Sequence, residues 1–144
     1  MQFLSEKLVR VIERNAEELT NNWLRDVQKH FSTPTYHTYD AEKLYQRAFL
    51  VYSQLGKWIS RETTKEEIAS HYTAVGMERR REGFALSEVI QALIITRRHV
   101  WIKILSEGIL DTALDMHKAL ELNNRVILFF DRAIYYTALG YEAQ

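Results

Sequence analysis

The chain has no cysteine, a single proline (Pro34) and only five glycines in 144 residues. Without cysteine, thiolate zinc sites, disulfide frameworks and cysteine nucleophiles are excluded. A chain of this length can bury a core without such staples, and a cysteine-free core fits a reducing, cytoplasmic setting. The scarcity of proline and glycine leaves few breaks and favours long helices. Net charge is zero, from 19 basic and 19 acidic side chains. The chain therefore lacks the basic field that nucleic-acid and membrane-surface binders need. Its longest apolar run, Val126 to Phe130, is far too short to cross a bilayer. Glu6, Lys7 and Arg10 interrupt the start, so no signal peptide is expected. Motifs of catalysis are missing too. There is no G-x-S-x-G elbow, no phosphate-binding G-x-x-x-x-G-K-[ST] loop and no G-x-G-x-x-G. The paired carboxylates Glu17-Glu18 and Glu66-Glu67 read as solvated helix surface. A binding module, not an enzyme, is the expectation.

What is present is helical amphipathicity throughout, with 47% apolar and 26% charged residues. One all-α domain over 1–144 is expected, an antiparallel bundle of about five helices. The first runs from about Ser5 to His30, with Leu8, Ile12, Leu19, Trp23 and Val27 inward. A loop from Ser32 to Tyr39 contains Pro34, and Asp40 is a suitable N-cap. The second helix covers about Ala41 to Ser60, with Leu44, Ala48, Val51, Leu55 and Trp58 inward and Gly56 permitting close packing. Thr64 and Glu67, at capping-box spacing, open a third helix through Arg81, with Ile68, Tyr72 and Val75 on one face. Gly83 suits its C-terminus. The fourth helix runs to about Glu107 with the stripe Leu86, Ile90, Leu93, Ile94, Trp101, Ile104 and Leu105. Ile109 to Leu114 form a turn or short helix. The last helix runs from near Met116 to Tyr141, with Leu120, Ile127, Phe130, Ile134 and Ala138 on its inner face. The chain stops in helix at 141–144, as either a self-contained protein or a domain cut from a longer one would.

The arginines carry the most information. Arg79-Arg80-Arg81 sit between Glu78 and Glu82 just before Gly83. Arg97 falls within the hydrophobic stripe of the fourth helix, between Leu93 and Trp101. Asp131 falls near the inner face of the last helix. A buried Arg97–Asp131 contact would fix the register of these two helices, and Asp131→Ala would then cost about 3 kcal/mol by stranding a charge. The alternative leaves Arg97 at the boundary, its stem over Trp101 and its guanidinium in water.

The stretch from Met77 to Trp101 resembles the N-terminal domain of the RsbRD type, a family of bacterial stress-signalling domains that includes co-antagonists of the RsbT kinase. The resembling residues are Glu78-Arg79-Arg80, then Gly83-Phe84-Ala85-Leu86-Ser87-Glu88-Val89, then Arg97-Arg98 and Trp101. Phe130-Asp131-Arg132-Ala133-Ile134 with Tyr141, and Leu19-Thr20-Asn21-Asn22-Trp23-Leu24, add weaker matches. The resemblance implies an all-helical sensory or protein-interaction module that regulates an output domain, and it transfers no catalytic residue. Related stressosome sensors have a globin-like fold without haem, which implies that arrangement as the alternative to a plain bundle.

Five histidines raise metal and haem readings. Glu67, His71 and Glu78 share one side of the third helix, but the Glu-x-x-His spacing of bundle di-iron sites is missing. His99 and His117 are helical histidines of the sort that ligate haem in globin-like folds. Tyr36, Tyr39, Tyr135 and Tyr136 could line a small-molecule pocket. Phe129-Phe130 and Tyr135-Tyr136 cannot all face one core, so one of each pair points elsewhere, where an apolar strip would make a homodimer seam. The leading expectation is a cytoplasmic signalling domain that packs with itself or a protein partner, without nucleic acid, membrane, metal or cofactor. Its interaction residues are Arg79, Arg80, Arg97, Trp101 and Asp131. The second expectation is a sensor holding haem or another small apolar molecule, with His71 and His99 as its ligand-binding residues.

Overall fold

The computed structural model describes residues 6–108 and 110–143. Ser5, Ile109 and Gln144, at the ends of expected segments, lie outside them. The described residues form an all-helical bundle with no strand: α1 (Glu6–Arg14), α2 (Ala16–Val27), a 3-10 turn (Pro34–His37), α3 (Ala41–Ser53), α4 (Leu55–Ile59), α5 (Lys65–Arg81), α6 (Leu86–Ser106) and α7 (Ala113–Glu142).

Two expected helices are each divided. Asn15 interrupts the first, where the backbone leaves the helical region (φ −106°, ψ 22°) and its amide donates to the Val11 carbonyl at 2.7 Å. Asparagine breaks a helix this way because its side chain competes for local backbone groups. Gln54 interrupts the second at φ −117°, and the short α4 follows. The break turns Gly56 toward α1, where its N–H donates to Glu13 Oε2 at 2.9 Å. A Cβ at Gly56 would lie 3.2 Å from Val9 Cγ1, so the expected close packing is present.

The expected caps form. Asp40 accepts from Glu42 N and Lys43 N, and Thr64 accepts from Glu67 N at 3.1 Å. The last helix begins earlier than expected because Thr112 and Asp115 make a reciprocal capping box, with Thr112 Oγ1 accepting at 3.1 Å and Asp115 Oδ2 at 3.3 Å. At the end of α5, Phe84 N donates to Arg79 O and Gly83 N to Arg80 O, both at 3.1 Å, with Gly83 at φ +95°. This is the Schellman ending for which glycine is favoured.

The tightest packing joins α5 and α7, which run in the same direction, so that Tyr72 meets Phe129 and Arg80 meets Tyr141. A Cβ built on Gly76 would lie 2.1 Å from Thr137 O, and one on Gly140 would lie 2.2 Å from Thr73 O. Only glycine allows such backbone contact. Buried Thr20, Thr96 and Thr137 each donate to the carbonyl four residues earlier, so small polar side chains enter the core satisfied. Helix α6 is pinned by two aromatic donors one turn apart. Trp23 Nε1 donates to Ala92 O at 3.1 Å, and Tyr52 hydroxyl to Thr96 O at 2.9 Å.

The inward faces of α1, α2, α3 and α5 match expectation, with Leu8, Ile12, Leu19, Trp23, Val27, Leu44, Ala48, Ile68 and Tyr72 buried. Those of α6 and α7 match only at Ile104 and Phe130. The core face of α6 is Val89, Ala92, Ile95, Thr96, His99, Val100 and Ile104. That of α7 is Ala119, Leu122, Val126, Phe129, Phe130, Ala133, Thr137 and Gly140. Leu105, Leu120 and Ile127, expected inward, are exposed. Both helices carry two apolar stripes, and periodicity alone cannot say which one meets the core. Phe129 and Phe130 are both buried, against the expectation that one must turn away. Tyr135 is the member of its pair that turns out.

Candidate functional site

Two places hold the residues singled out from the sequence. The first is the turn between α5 and α6. The four charges there are mutually neutralised. Arg47, on α3, forms a two-toothed pair with Glu82, Nη1 to Oε1 at 3.1 Å and Nη2 to Oε2 at 2.7 Å. Arg79 Nη1 lies 3.2 Å from Glu82 Oε1 and 3.3 Å from Glu78 Oε1. Burial alone would raise the Glu82 carboxyl. The Arg47 hydrogen bonds and the Arg79 and Arg47 charges outweigh it and hold the group below its ordinary value. Arg80 turns the other way and donates to the Tyr141 carbonyl in the last turn of α7, where a cation complements the helix dipole. The Tyr141 hydroxyl donates back to Phe84 O at 2.8 Å. Burial, mainly, pushes that hydroxyl's pKa up to about 12. The arginine turn thus latches the end of α7.

Glu88 completes this corner from inside. It is only 5% exposed and accepts from Thr35 N at 2.6 Å, Thr35 Oγ1 at 2.7 Å and Ala85 N at 3.0 Å. One carboxylate therefore caps α6 and fastens the loop before α3. Phe84 packs under that loop against Tyr36 (ring centroids 4.6 Å) and Tyr39 (4.9 Å).

A cavity of about 480 Å³ opens beside the corner, between α3, α5 and α6. Trp23, Leu44, Ala48, Val75, Val89 and Leu93 give it apolar walls. Arg47, Arg79, Tyr36, Tyr72 and His71 supply polar groups. His71 is at the rim with its ring 4.9 Å from that of Trp58. Burial first, then the charges of Lys57 and Arg79, lower its pKa.

The second place is the outer face of α6 and α7. Arg97 Nη1 lies 4.0 Å from Asp131 Oδ1, with the side chains 33% and 63% exposed. The expected pair exists but is not buried, because the core face of α6 is turned away from Arg97. The cost of about 3 kcal/mol expected for Asp131→Ala therefore falls to that of a surface pair, about 0–1 kcal/mol. Trp101 is half-buried at the edge of the core. Ile90, Ile94 and Trp101 on α6 flank Arg97, and Leu105 continues the row, exposed. On α7, exposed Met116, Leu120 and Ile127 lead on to half-buried Ile134 and Ala138, with half-buried Asn123 between Leu120 and Ile127. The Arg97–Asp131 pair sets these two stripes side by side.

The structure does not bring His71 and His99 together. His99 is buried between α6 and α2, where its Nε2 sits 2.6 Å from Asp26 Oδ2. His99 does not line the cavity, and His117 is exposed on α7. A haem reading is thus left with His71 alone. Glu78 turns to Arg47 and Arg79 and away from Glu67 and His71, and no three His, Asp or Glu side chains among the described residues are grouped to hold a metal. Of the tyrosines expected at a pocket, Tyr36 is in one. Tyr39 meets Arg47 instead, and Tyr135 and Tyr136 lie on α7, away from the cavity. Arg47, Gly76 and Gly140 were not foreseen, and Tyr72 and Glu88 were foreseen only as an inward residue and as part of the resembling motif, without a role at a site. Of the unforeseen three, only the two glycines left a signal: a helix-interior glycine costs about 1 kcal/mol relative to alanine and so implies a close contact.

The chain matches no family model, no curated protein and no solved structure. No helix among the described residues is long and apolar enough to cross a membrane.

Proposed function

We propose that this chain is a bacterial signal-transduction module of the RsbRD type, a cytoplasmic stress-response sensor or interaction domain that works by pairing through α6 and α7 and is not an enzyme. One observation carries the reading: both helices have a second apolar stripe that the bundle leaves uncovered. On α7 it runs Met116, Leu120 and Ile127, exposed, then Ile134 and Ala138, half-buried. Asn123 and Asp131 fill the two gaps, so the whole row advances in steps of four and three residues. That spacing suits a helix seam, and a single asparagine within such a seam specifies its register at some cost in stability. Monomers seldom leave large contiguous apolar patches open. A second copy is the occupant the pattern favours. Two α6–α7 pairs would close into a four-helix bundle, with the same patch on both sides of a two-fold axis. A signal would act by shifting the population between two packings of α6 and α7, passed to an output domain or protein partner.

Light scattering over a range of concentrations tests this. Wild type is expected to approach twice the 17.0 kDa chain mass. The Leu120→Glu/Ile127→Glu double variant is expected to stay monomeric and folded, with a wild-type helical circular-dichroism spectrum, since both side chains are exposed. Wild type that is strictly monomeric at every concentration would overturn the pairing.

A further inference from the structure

We propose that the cavity between α3, α5 and α6 is a binding site for a small apolar carboxylate, with Tyr36, Tyr72 and Arg79 receiving its head group. The site is distinct from the outer face of α6 and α7, and its test does not depend on self-association.

The hydroxyls of two buried tyrosines carry the argument. Tyr36 is 4% exposed and Tyr72 is 3% exposed, and both line the cavity. Among the described residues neither hydroxyl has a hydrogen-bond partner, whereas Tyr52, equally buried, spends its hydroxyl on Thr96 O. Neither hydroxyl is among the fully enclosed side-chain atoms that lack a bond, so each keeps access to water that a ligand's acceptor could replace. Both lie within electrostatic reach of the Arg79 guanidinium, whose charge opposes the effect of burial on each.

Arg79 is a third donor. Its side chain is 12% exposed and only Nη1 is engaged, by Glu78 and Glu82. Its remaining N–H groups are left for an acceptor. Glu78 and Glu82 balance Arg47 and Arg79, and Lys57 leaves the lining with one cation in excess. Glu78 is already 3.3 Å from Arg79 and 3.8 Å from Arg47. Donors without acceptors, beside a net positive lining, select an anionic acceptor. The walls of Trp23, Leu44, Ala48, Val75, Val89 and Leu93 select an apolar body. A volume of about 480 Å³ admits a small molecule and not a peptide helix.

Helix α6 also places this site next to the proposed seam. Val89, Ala92 and Thr96 face the cavity, while Ile90, Ile94 and Trp101 face outward.

Calorimetric titration with three probes tests the assignment: 4-phenylbutyrate, 4-phenylbutanol, which has the same body without the charge, and butyrate, which has the charge without the body. Trp23 and Trp58 line the cavity and give a parallel fluorescence readout. The acid is expected to bind saturably at one site per chain, with the alcohol and butyrate each roughly tenfold weaker or more. Tyr36→Phe and Tyr72→Phe remove hydroxyls that bond to no protein group, so each should keep the wild-type melting temperature. Each should weaken the acid roughly tenfold and leave the alcohol unchanged. No saturable binding of 4-phenylbutyrate would overturn the proposal. So would an alcohol that binds as tightly as the acid, or an acid indifferent to the Tyr36→Phe/Tyr72→Phe double variant.

Discussion

Replacing Gly76 by alanine adds one methyl group where α5 meets α7. An ideal Cβ there lies 2.1 Å from Thr137 O, 3.0 Å from Thr137 C and 3.1 Å from Thr137 Cα. The first contact falls about 1.4 Å short of an optimal separation of about 3.5 Å. All three atoms are backbone, so no rotamer change relieves the clash. The helices must separate, and they carry Tyr72, Phe129 and Ala133 with them. Overpacking of a well-packed core costs about 1–3 kcal/mol, and a rigid obstacle puts this case at the top of that range. Alanine returns about 1 kcal/mol through helix propensity. A net loss of about 2 kcal/mol remains, or roughly 8 °C in melting temperature for a chain of this size. Gly140→Ala meets Thr73 O at 2.2 Å and should cost as much. The double variant should cost less than the sum, because both methyls force apart one contact. Gly56→Ala is the control. Its Cβ meets only the Glu13 and Val9 side chains, at 3.1 and 3.2 Å, and it should change stability by less than about 1 kcal/mol. Thermal melts followed by circular dichroism decide the matter. If Gly76→Ala melts at or above the wild-type temperature, the claimed α5–α7 contact is wrong.

Asp131→Ala should cost under about 1 kcal/mol in urea denaturation, because its pair with Arg97 is exposed. Glu88→Ala removes three accepted hydrogen bonds inside the α5–α6 corner and should cost about 3 kcal/mol, while speeding amide exchange in the loop that contains Thr35. Stability should fall on acidification in two steps. The folded pKa of His71 is depressed, so the unfolded chain binds the proton more readily and stability is lost as pH falls below the ordinary histidine value of 6.5. Glu82 is depressed likewise, so its contribution is present above the ordinary value of 4.5 and is lost as pH falls through its lower folded value. Arg47→Met should shrink the second step, with Arg79 still beside Glu82, as read from melting temperature against pH.

Local signals in the chain were the most legible. Asp40, Thr64 and Gly83 each cap or end a helix where side-chain chemistry says they should, since capping depends on a few neighbouring residues. The first, second and third inward stripes were legible for a related reason: each of those helices has one apolar face. Helices α6 and α7 have two, and the sequence does not rank them. Choosing the outer stripe placed Arg97 and Asp131 inside, when they pair at the surface. The breaks at Asn15 and Gln54 were missed because neither is a proline or glycine. Of the site, Arg79 and Tyr36 were legible as unusual residues. Arg47, Tyr72 and Glu88 became visible as site residues only once α3, α5 and α6 were placed in space. Their partners lie 35 to 53 residues away in sequence for Arg47–Glu82 and Thr35–Glu88.

A distance between copies tests the central claim, that the outer face of α6 and α7 joins two chains. Because the chain has no cysteine, a spin label at Asn124→Cys, beside the α7 stripe, reports from one known place. Pulsed dipolar spectroscopy should give one narrow intermolecular distance there, abolished by Leu120→Glu/Ile127→Glu, and a distinctly longer one from a label at Gln46→Cys on α3. Absence of any dipolar signal at Asn124 in concentrated wild-type protein, or a shorter distance from Gln46, would contradict the account.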